Sequence, residues 1–396
     1  MTGKEKIIKA MSHSESGVVP VDFGGTGQTG IHVSCVALLR DYFGLDRHPV
    51  KVIEPYQMLG EIEEDLSEAM GIDTLPVSAG GTMFGIRCEN WKEWETPWKQ
   101  VVLVPGMFNT SRNENGDVQI YPQGDTSVAP SAKMPVSGYF FDAIPRQQPF
   151  NEENPDPEDN TEEFAVISEE ELNLWKGKIP GLEGCGKAIC ASLINTGFGD
   201  IAMVPGVNLK NPKGIRDITE WYVSTLIRPD YLHRVFDKQC EIALETLRQV
   251  VPLLKEVVDV IYISGTDFGT QLSTFCDEAT YRDLYLPYYK RVNDWIHTHT
   301  PWKTFMHSCG AIRPLIPSII ESGFDLLNPV QCSAAGMDPA ELKREFGREI
   351  VFWGGGVDTQ KTLPFGQPGD VRQEVMSRCE IFSKGGGFVF SSIHNI

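Results

Sequence analysis

Trp302-Lys303-Thr304-Phe305-Met306-His307-Ser308-Cys309-Gly310 is an apolar, strand-like run that turns polar at His307. On a strand, residues i and i+2 point to the same face. His307 and Cys309 therefore present an imidazole and a sulfur side by side. Two such side chains can hold a zinc ion if a third ligand arrives from elsewhere. Gly310 frees the backbone to turn sharply after the strand. A buried Cys is also commonly just a small hydrophobe, so the pair gains meaning only from its surroundings.

Those surroundings repeat the same design. Val258–Ser264 reads as a buried strand that runs into Gly265-Thr266-Asp267. Further strands are expected at Asp325–Pro329, Ile350–Gly354 and Phe388–Ser392, and an earlier one at Lys187–Leu193. Helical patterns fill the gaps: Thr280–His299, with Tyr281, Leu284, Tyr288 and Val292 at helical spacing, then Arg313–Ser322, Pro339–Phe346 and Gly369–Lys384. Short apolar strands alternating with helices mean parallel βαβ units. Each strand turns polar, and often Gly-rich, at its C-terminal end: Asn328-Pro329-Val330-Gln331, Gly355-Gly356-Val357-Asp358, Ser391-Ser392-Ile393-His394. Polar residues converging from several strand ends on one mouth predict an α/β fold of the (β/α)8 TIM-barrel class. A doubly wound sheet would concentrate its site at one switch point instead.

The first half is less regular. Val18–Phe23 reads as a strand ending in Gly24-Gly25-Thr26-Gly27, and Lys51–Met70 as an amphipathic helix. Residues 83–122 suggest inserted hairpins, with a turn at Asn115-Gly116-Asp117. The acidic, Pro-containing stretch 151–171 reads as a surface loop; its functional alternative is a lid over the mouth. One barrel domain over 1–396, with an insertion at about 83–180, accounts for this layout. Because a barrel ordinarily ends in a helix, the native chain is expected to continue beyond Ile396.

Composition narrows the function. The 396 residues are 41% apolar, with 8 Trp and 20 Phe, enough for a large core. Nine scattered Cys suit reduced thiols and a cytoplasmic location. No apolar run is long enough for a membrane span, and the N-terminus does not read as a signal peptide. A formal net charge of −19 argues against nucleic acid as a partner. There is no GxGxxG fingerprint, P-loop or GxSxG elbow.

The third ligand for a zinc site is open between two residues. His394 closes the strand series, and the first and last strands of a closed barrel are neighbours. Cys332 follows Asn328-Pro329-Val330-Gln331, where a small packed residue is the plainer reading. Cys185 and Cys190 read as structural, and His297 and His299 as surface residues of a helix. Asp267, at a strand end, suits a base, a substrate contact or an orienting partner for a zinc ligand; capping the next turn is the structural alternative. Gln271, Asn328, Gln331, Asp358 and His32 are weaker candidates for substrate binding.

The motifs Asp267-Phe268-Gly269-Thr270-Gln271, Tyr281-Arg282, Leu286-Pro287-Tyr288-Tyr289-Lys290, His307-Ser308-Cys309-Gly310, Gly323–Pro329 and Ile350–Gln360 resemble, in this order, the uroporphyrinogen decarboxylase superfamily. The resemblance covers residues ~220–396 well and the first half loosely. It implies a (β/α)8 barrel and offers two chemistries. Metal-independent decarboxylation of uroporphyrinogen goes with an Arg-rich segment near the N-terminus that grips substrate carboxylates. Here Val21–His32 contains no Arg, so those charges lack compensation. The other branch resembles methylcobalamin:coenzyme M methyltransferases and demethylating methyltransferases. It implies zinc held by a His-x-Cys pair and a late ligand, typically Cys; here His307 and Cys309 match, and His394 stands late. It also implies catalytic roles for Asp267, His307 and Cys309, a small methyl donor or acceptor (a thiol or a methoxylated compound), and a partner protein carrying methylcobalamin or another corrinoid. A homodimer is compatible with it. A noncatalytic barrel that binds a corrinoid or tetrapyrrole is the remaining alternative.

Overall fold

The computed structural model describes residues 1–396 except Ala79 and Asn195. Seven strands follow one another along the chain: β1 (Thr74–Ser78), β2 (Ala188–Ser192), β3 (Val260–Ser264), β4 (Lys303–His307), β5 (Leu326–Asn328), β6 (Val351–Trp353) and β7 (Phe388–Val389). They lie side by side in chain order, each neighbouring pair parallel. Residues 20–22 take the eighth position. Val21 forms a parallel bridge to Phe390. The Asp22 N–H donates to the Phe390 carbonyl and the Phe390 N–H to the Pro20 carbonyl, each at 2.8 Å; on the other side the Asp73 N–H donates to the Val21 carbonyl at 2.8 Å. The sheet is therefore closed, and the fold is a (β/α)8 barrel.

Period-two alternation sorts the strand side chains into two cores. Ala188, Cys190, Val260, Phe305, Leu326, Val351, Trp353 and Val389 fill the inside of the barrel. The residues between them, including Ile189, Ile261, Met306, Leu327 and Phe352, point outward under the helices. Burying each large apolar side chain contributes about 1.5–3 kcal/mol. The bottom of the barrel is plugged by α1 (Gly3–Met11). A Thr2/Glu5 capping box starts this helix, and its buried residues Ile7, Ala10 and Met11 recur at helical spacing and join the inner core. On the outside, α2 (Ile218–Ile227) precedes α3 (Pro229–Leu254), which begins with Pro at its first position and buries Leu232, Val235, Phe236, Cys240 and Ala243.

Between β1 and β2 the chain makes the hairpin excursion expected of residues 83–122. Lys92–Glu95 pairs with Val101–Val104, and Thr110–Arg112 with Val118–Ile120. Gly116 makes the second turn at φ 83°. These hairpins share a second apolar cluster with residues 31–66, built on Val52, Met58, Leu66, Phe84, Val104, Ile120 and Phe141. The helix expected at Lys51–Met70 is not formed. Val52–Glu54 and Leu59–Gly60 form an antiparallel pair, and only Glu64–Ala69 is helical. Pro55 interrupts a helical ladder there, and Met58 turns at φ 53°. The strand expected at Val18–Phe23 shrinks to the bridge at Val21. Within Thr280–His299 the register slips through a π turn at Tyr281–Tyr285 just before Pro287, which has no N–H to give.

The acidic stretch is more firmly built in than a solvated loop. The side chain of Asn160 exchanges hydrogen bonds with the backbone of Ile215, 2.8 Å each way, and accepts from the Tyr231 hydroxyl at 2.7 Å. Glu163 pairs at 2.8 Å with Arg216, whose side chain is 1% exposed. Among the described residues, no helix is long and apolar enough to cross a membrane.

Candidate metal centre

Inward parity on β4 runs Phe305, His307, and then Cys309 just past the strand end. The Cys309 Sγ lies 3.2 Å from His307 Nε2. The loop after β7 brings His394 to the same place, its ring centroid 4.9 Å from that of His307 at a 77° interplanar angle. One ligand atom from each of the three residues falls within 4.8 Å of the others. Tetrahedral zinc with Zn–S near 2.3 Å and Zn–N near 2.0–2.1 Å sets neighbouring ligand atoms roughly 3.5 Å apart. The donors fit with a small inward adjustment. Three ligands leave a fourth position open, the pattern of a catalytic rather than a structural zinc.

The surroundings fix how each donor is presented. The carboxamide of Asn328, at the end of β5, accepts from His307 Nδ1, and its Nδ2 donates to the Trp353 carbonyl at 2.8 Å. With the amide held by Trp353, its oxygen must face the imidazole. His307 is thereby a Nδ1–H tautomer whose Nε2 lone pair faces the sulfur. Asp267 Oδ1 accepts the Cys309 N–H at 2.7 Å and stands 3.8 Å from His307 Nε2. Gly310 carries the turn at φ 90°, where any Cβ would lie 2.4 Å from the Gly269 backbone. That close approach locks the 267–271 loop against the Cys309 turn, with the Ala311 N–H donating to the Thr270 carbonyl at 2.8 Å. His394 sits at φ 67°, with the Ser392 hydroxyl donating to its carbonyl at 2.6 Å. The Asn395 N–H meets its Nδ1 at 2.9 Å. A metal at His394 displaces this last contact: it takes Nδ1 itself, or takes Nε2 and shifts the ring proton to Nδ1.

Burial sets the charge states. It lowers the His307 imidazole to about 4. Burial, then the neighbouring His307, lowers His394 to about 4 as well. Both rings are neutral at pH 7, the form a metal requires. Burial, then Asp267, pushes the Cys309 thiol well up; a cation bound beside it reverses that preference.

The other sequence candidates are placed as follows. Gln331 is buried, and its Oε1 accepts the Gly310 N–H at 2.9 Å, bracing the same turn. Asp358 caps its own loop, accepting from the N–H groups of Gln360 and Lys361 at 2.8 and 3.2 Å. The Gln271 side chain is exposed. His32 caps a helix start; its Nδ1 accepts from the Ser34 N–H, its Nε2 meets the Tyr139 carbonyl at 2.9 Å, and its ring packs on Trp98. Cys332 donates to the Val330 carbonyl at 3.3 Å, and burial pushes its thiol up to about 12. It is not part of the three-residue cluster.

Residues 210–396 match the uroporphyrinogen decarboxylase (URO-D) family. The matched segment is a little under half of the chain. It carries β3 to β7 and all three members of the His307–Cys309–His394 cluster. No curated protein matches the chain. Among solved structures, a methyltransferase from Methanosarcina mazei is similar with a TM-score of 0.52 at 15% identity, covering 100% of this chain and 94% of that one. The likeness is one of fold, and it extends the barrel over the first half that the family match leaves out.

Sequence reading missed Asp200, which lies in the loop after β2 and is 8% exposed. Burial, with Asp267 nearby, lifts its carboxyl to about 7. Its signal was akin to the one that marked the other strand ends: Gly197-Phe198-Gly199-Asp200 is Gly-rich and polar a few residues after an apolar strand.

Proposed function

We propose that the chain is a zinc-dependent methyltransferase that moves a methyl group between a small thiol or methoxylated compound and a corrinoid carried by a partner protein. The observation that carries this reading is the cluster of His307, Cys309 and His394 at the barrel mouth, with one coordination position left open. Zinc bound there would supply Lewis acidity, holding a thiolate or polarising a methyl-ether oxygen. The residues around it do the rest. Asn328 holds the His307 tautomer, and Asp267 fixes the Cys309 backbone.

Electrostatics speak against a polycarboxylate substrate. Asp200 is buried and Asp267 partly buried at the mouth, and neither has a Lys or Arg among the groups that act on its charge. A porphyrinogen with many carboxylates would add its charges to these two carboxylates.

Cys309→Ser tests the reading. Ser is a harder and far less acidic ligand, so bound zinc and methyl transfer to a corrinoid should fall together while the thermal melt stays close to wild type. Equal zinc in both proteins by mass spectrometry, or none in either after expression with zinc, refutes it.

A further inference from the structure

The Gly-rich loop that follows residues 20–22 gives no ligand to the metal centre, yet it grips the residue next to one. Asn395, half-buried, donates through Nδ2 to the Gly27 carbonyl at 2.7 Å and to the Gly30 carbonyl at 3.3 Å. Two carbonyls demand the nitrogen, so the amide has one orientation. The His32 N–H donates to the Ile396 carbonyl at 2.6 Å and ties the following residue to the same stretch. On the other flank of His394, the Thr359 hydroxyl donates to the Ile393 carbonyl at 2.8 Å. His394 is therefore held from both sides. It needs to be, because its backbone sits at φ 67°, a conformation that residues other than glycine seldom adopt.

The loop is braced well enough to serve as a bracket. The Gly24 N–H donates to the Thr29 carbonyl at 2.8 Å, and the Thr26 N–H to the Thr29 hydroxyl at 3.1 Å. Its base is pinned inside the barrel. The Gly25 N–H donates to Asp22 Oδ1 at 2.8 Å, and Asp22 Oδ2 accepts from the Trp353 indole at 2.7 Å. Asp22 is fully buried, and a Cβ on Gly25 would lie 2.5 Å from its carboxylate, so only glycine lets the loop approach this closely.

We propose that Asn395 is a positioning residue for the third metal ligand, and that the loop 24–30 is the bracket through which it acts. The proposal rests on the zinc reading of the cluster. His307 and Cys309 share one strand end, so parity alone sets them side by side. His394 comes from a loop, and only its flanks can aim its ring at the other two. The side-chain amide of Asn395 supplies that aim whether or not metal is bound. Its backbone N–H has a separate part: it meets His394 Nδ1 at 2.9 Å. A neutral ring that accepts at Nδ1 carries its proton on Nε2. That contact breaks by rotation of the ring, without moving the amide from Gly27 and Gly30.

The test uses the full chain with Asn395→Ala, His394→Ala and the double variant, each read by zinc competition against a chromophoric chelator. Asn395→Ala should weaken zinc by about 10–100-fold, the cost of losing an orienting partner. Added to His394→Ala it should weaken zinc by less than about 3-fold more, because the ligand it serves is already gone. A packing role predicts the same loss in both backgrounds, and that result overturns the proposal, as does an unchanged Kd in the single variant. Cobalt in place of zinc gives a signature. The charge-transfer band of the Cys309 thiolate should survive in Asn395→Ala, while the d–d bands weaken as water replaces the His394 nitrogen; unaltered d–d bands overturn the proposal. A last readout needs no metal. Nitrogen NMR spectra of histidine-labelled, metal-free wild type should show His394 as a single Nε2–H tautomer, and Asn395→Ala should show a mixture. The same single tautomer in both proteins overturns the proposal. If wild type binds neither zinc nor cobalt, the zinc reading falls, and the tautomer comparison still decides whether Asn395 holds the ring.

Discussion

Replacing Asn328 with Ala removes two hydrogen bonds at once, and their consequences separate. The Nδ2 donor leaves the Trp353 carbonyl without a partner. That site is fully buried, so the loss costs about 1–3 kcal/mol of stability. It costs the same with or without metal and so leaves zinc affinity alone. The Oδ1 acceptor is different. Without it, His307 no longer has a reason to keep its proton on Nδ1 and its lone pair toward Cys309. Loss of such an orienting partner weakens metal binding by about 10–100-fold, or about 1.4–2.7 kcal/mol. Competition against a chromophoric chelator gives the zinc Kd, and a urea melt of metal-free protein gives the stability. Asn328→Asp splits the two effects. It restores an acceptor for His307 but sets an oxygen against the Trp353 carbonyl, so stability should fall while zinc affinity stays within about 10-fold of wild type. A zinc Kd unchanged in Asn328→Ala, or weakened equally by both substitutions, would refute the tautomer argument.

Two further outcomes follow from burial. His307 drops from 6.5 in an unfolded chain to about 4 in the folded one, so the unfolded state takes up the proton first. Stability present above pH ~6.5 is then lost as pH falls toward ~4, on the order of 3 kcal/mol from this residue; urea melts of metal-free wild type and His307→Gln should diverge over that range, and parallel curves would contradict the assignment. Glu163→Ala should lower stability by about 3 kcal/mol, because it strands the Arg216 guanidinium in the core with, among the described residues, only Glu162 at 3.5 Å as a carboxylate partner; bound zinc should not change, and a loss of metal would tie the 151–171 stretch to the site.

Much of the barrel was legible because buried parallel strands announce themselves as short apolar runs. Val260–Ser264, Lys303–His307 and Val351–Trp353 fall inside the runs read from sequence, and the helix at Pro339–Phe346 has the bounds its pattern predicts. The placing of His307 beside Cys309 followed from strand parity alone. Residues 51–70 failed because Val50, Val52, Met58 and Leu66 face one core from a hairpin and a short helix, and that mixture mimics helical spacing. Asn328 could be read as a mouth residue, but its hold on His307 depends on the Trp353 carbonyl, which no local pattern reveals. Asp200 was hidden for a similar reason. Its loop carries the Gly-rich, polar signal, but its burial near Asp267 depends on other strands. Gln331 and Asp358 looked like ligand-facing groups; Gln331 Oε1 and Asp358 Oδ1 each accept from backbone N–H groups that packing brings close.

The seam of the barrel is its thinnest place. One bridging residue, Val21, joins the beginning of the chain to Phe390 near its end, across almost the whole sequence. A contact of such long sequence separation is costly to form in a folding chain. The metal centre spans the same weakness from above, since His307 belongs to the middle of the sheet and His394 to the loop that follows the strand at the seam. A metal held by both would act as a clasp on an open bracelet: chemistry at the mouth and closure of the ring would share one fastening, and the protein without metal should open first where its two ends meet.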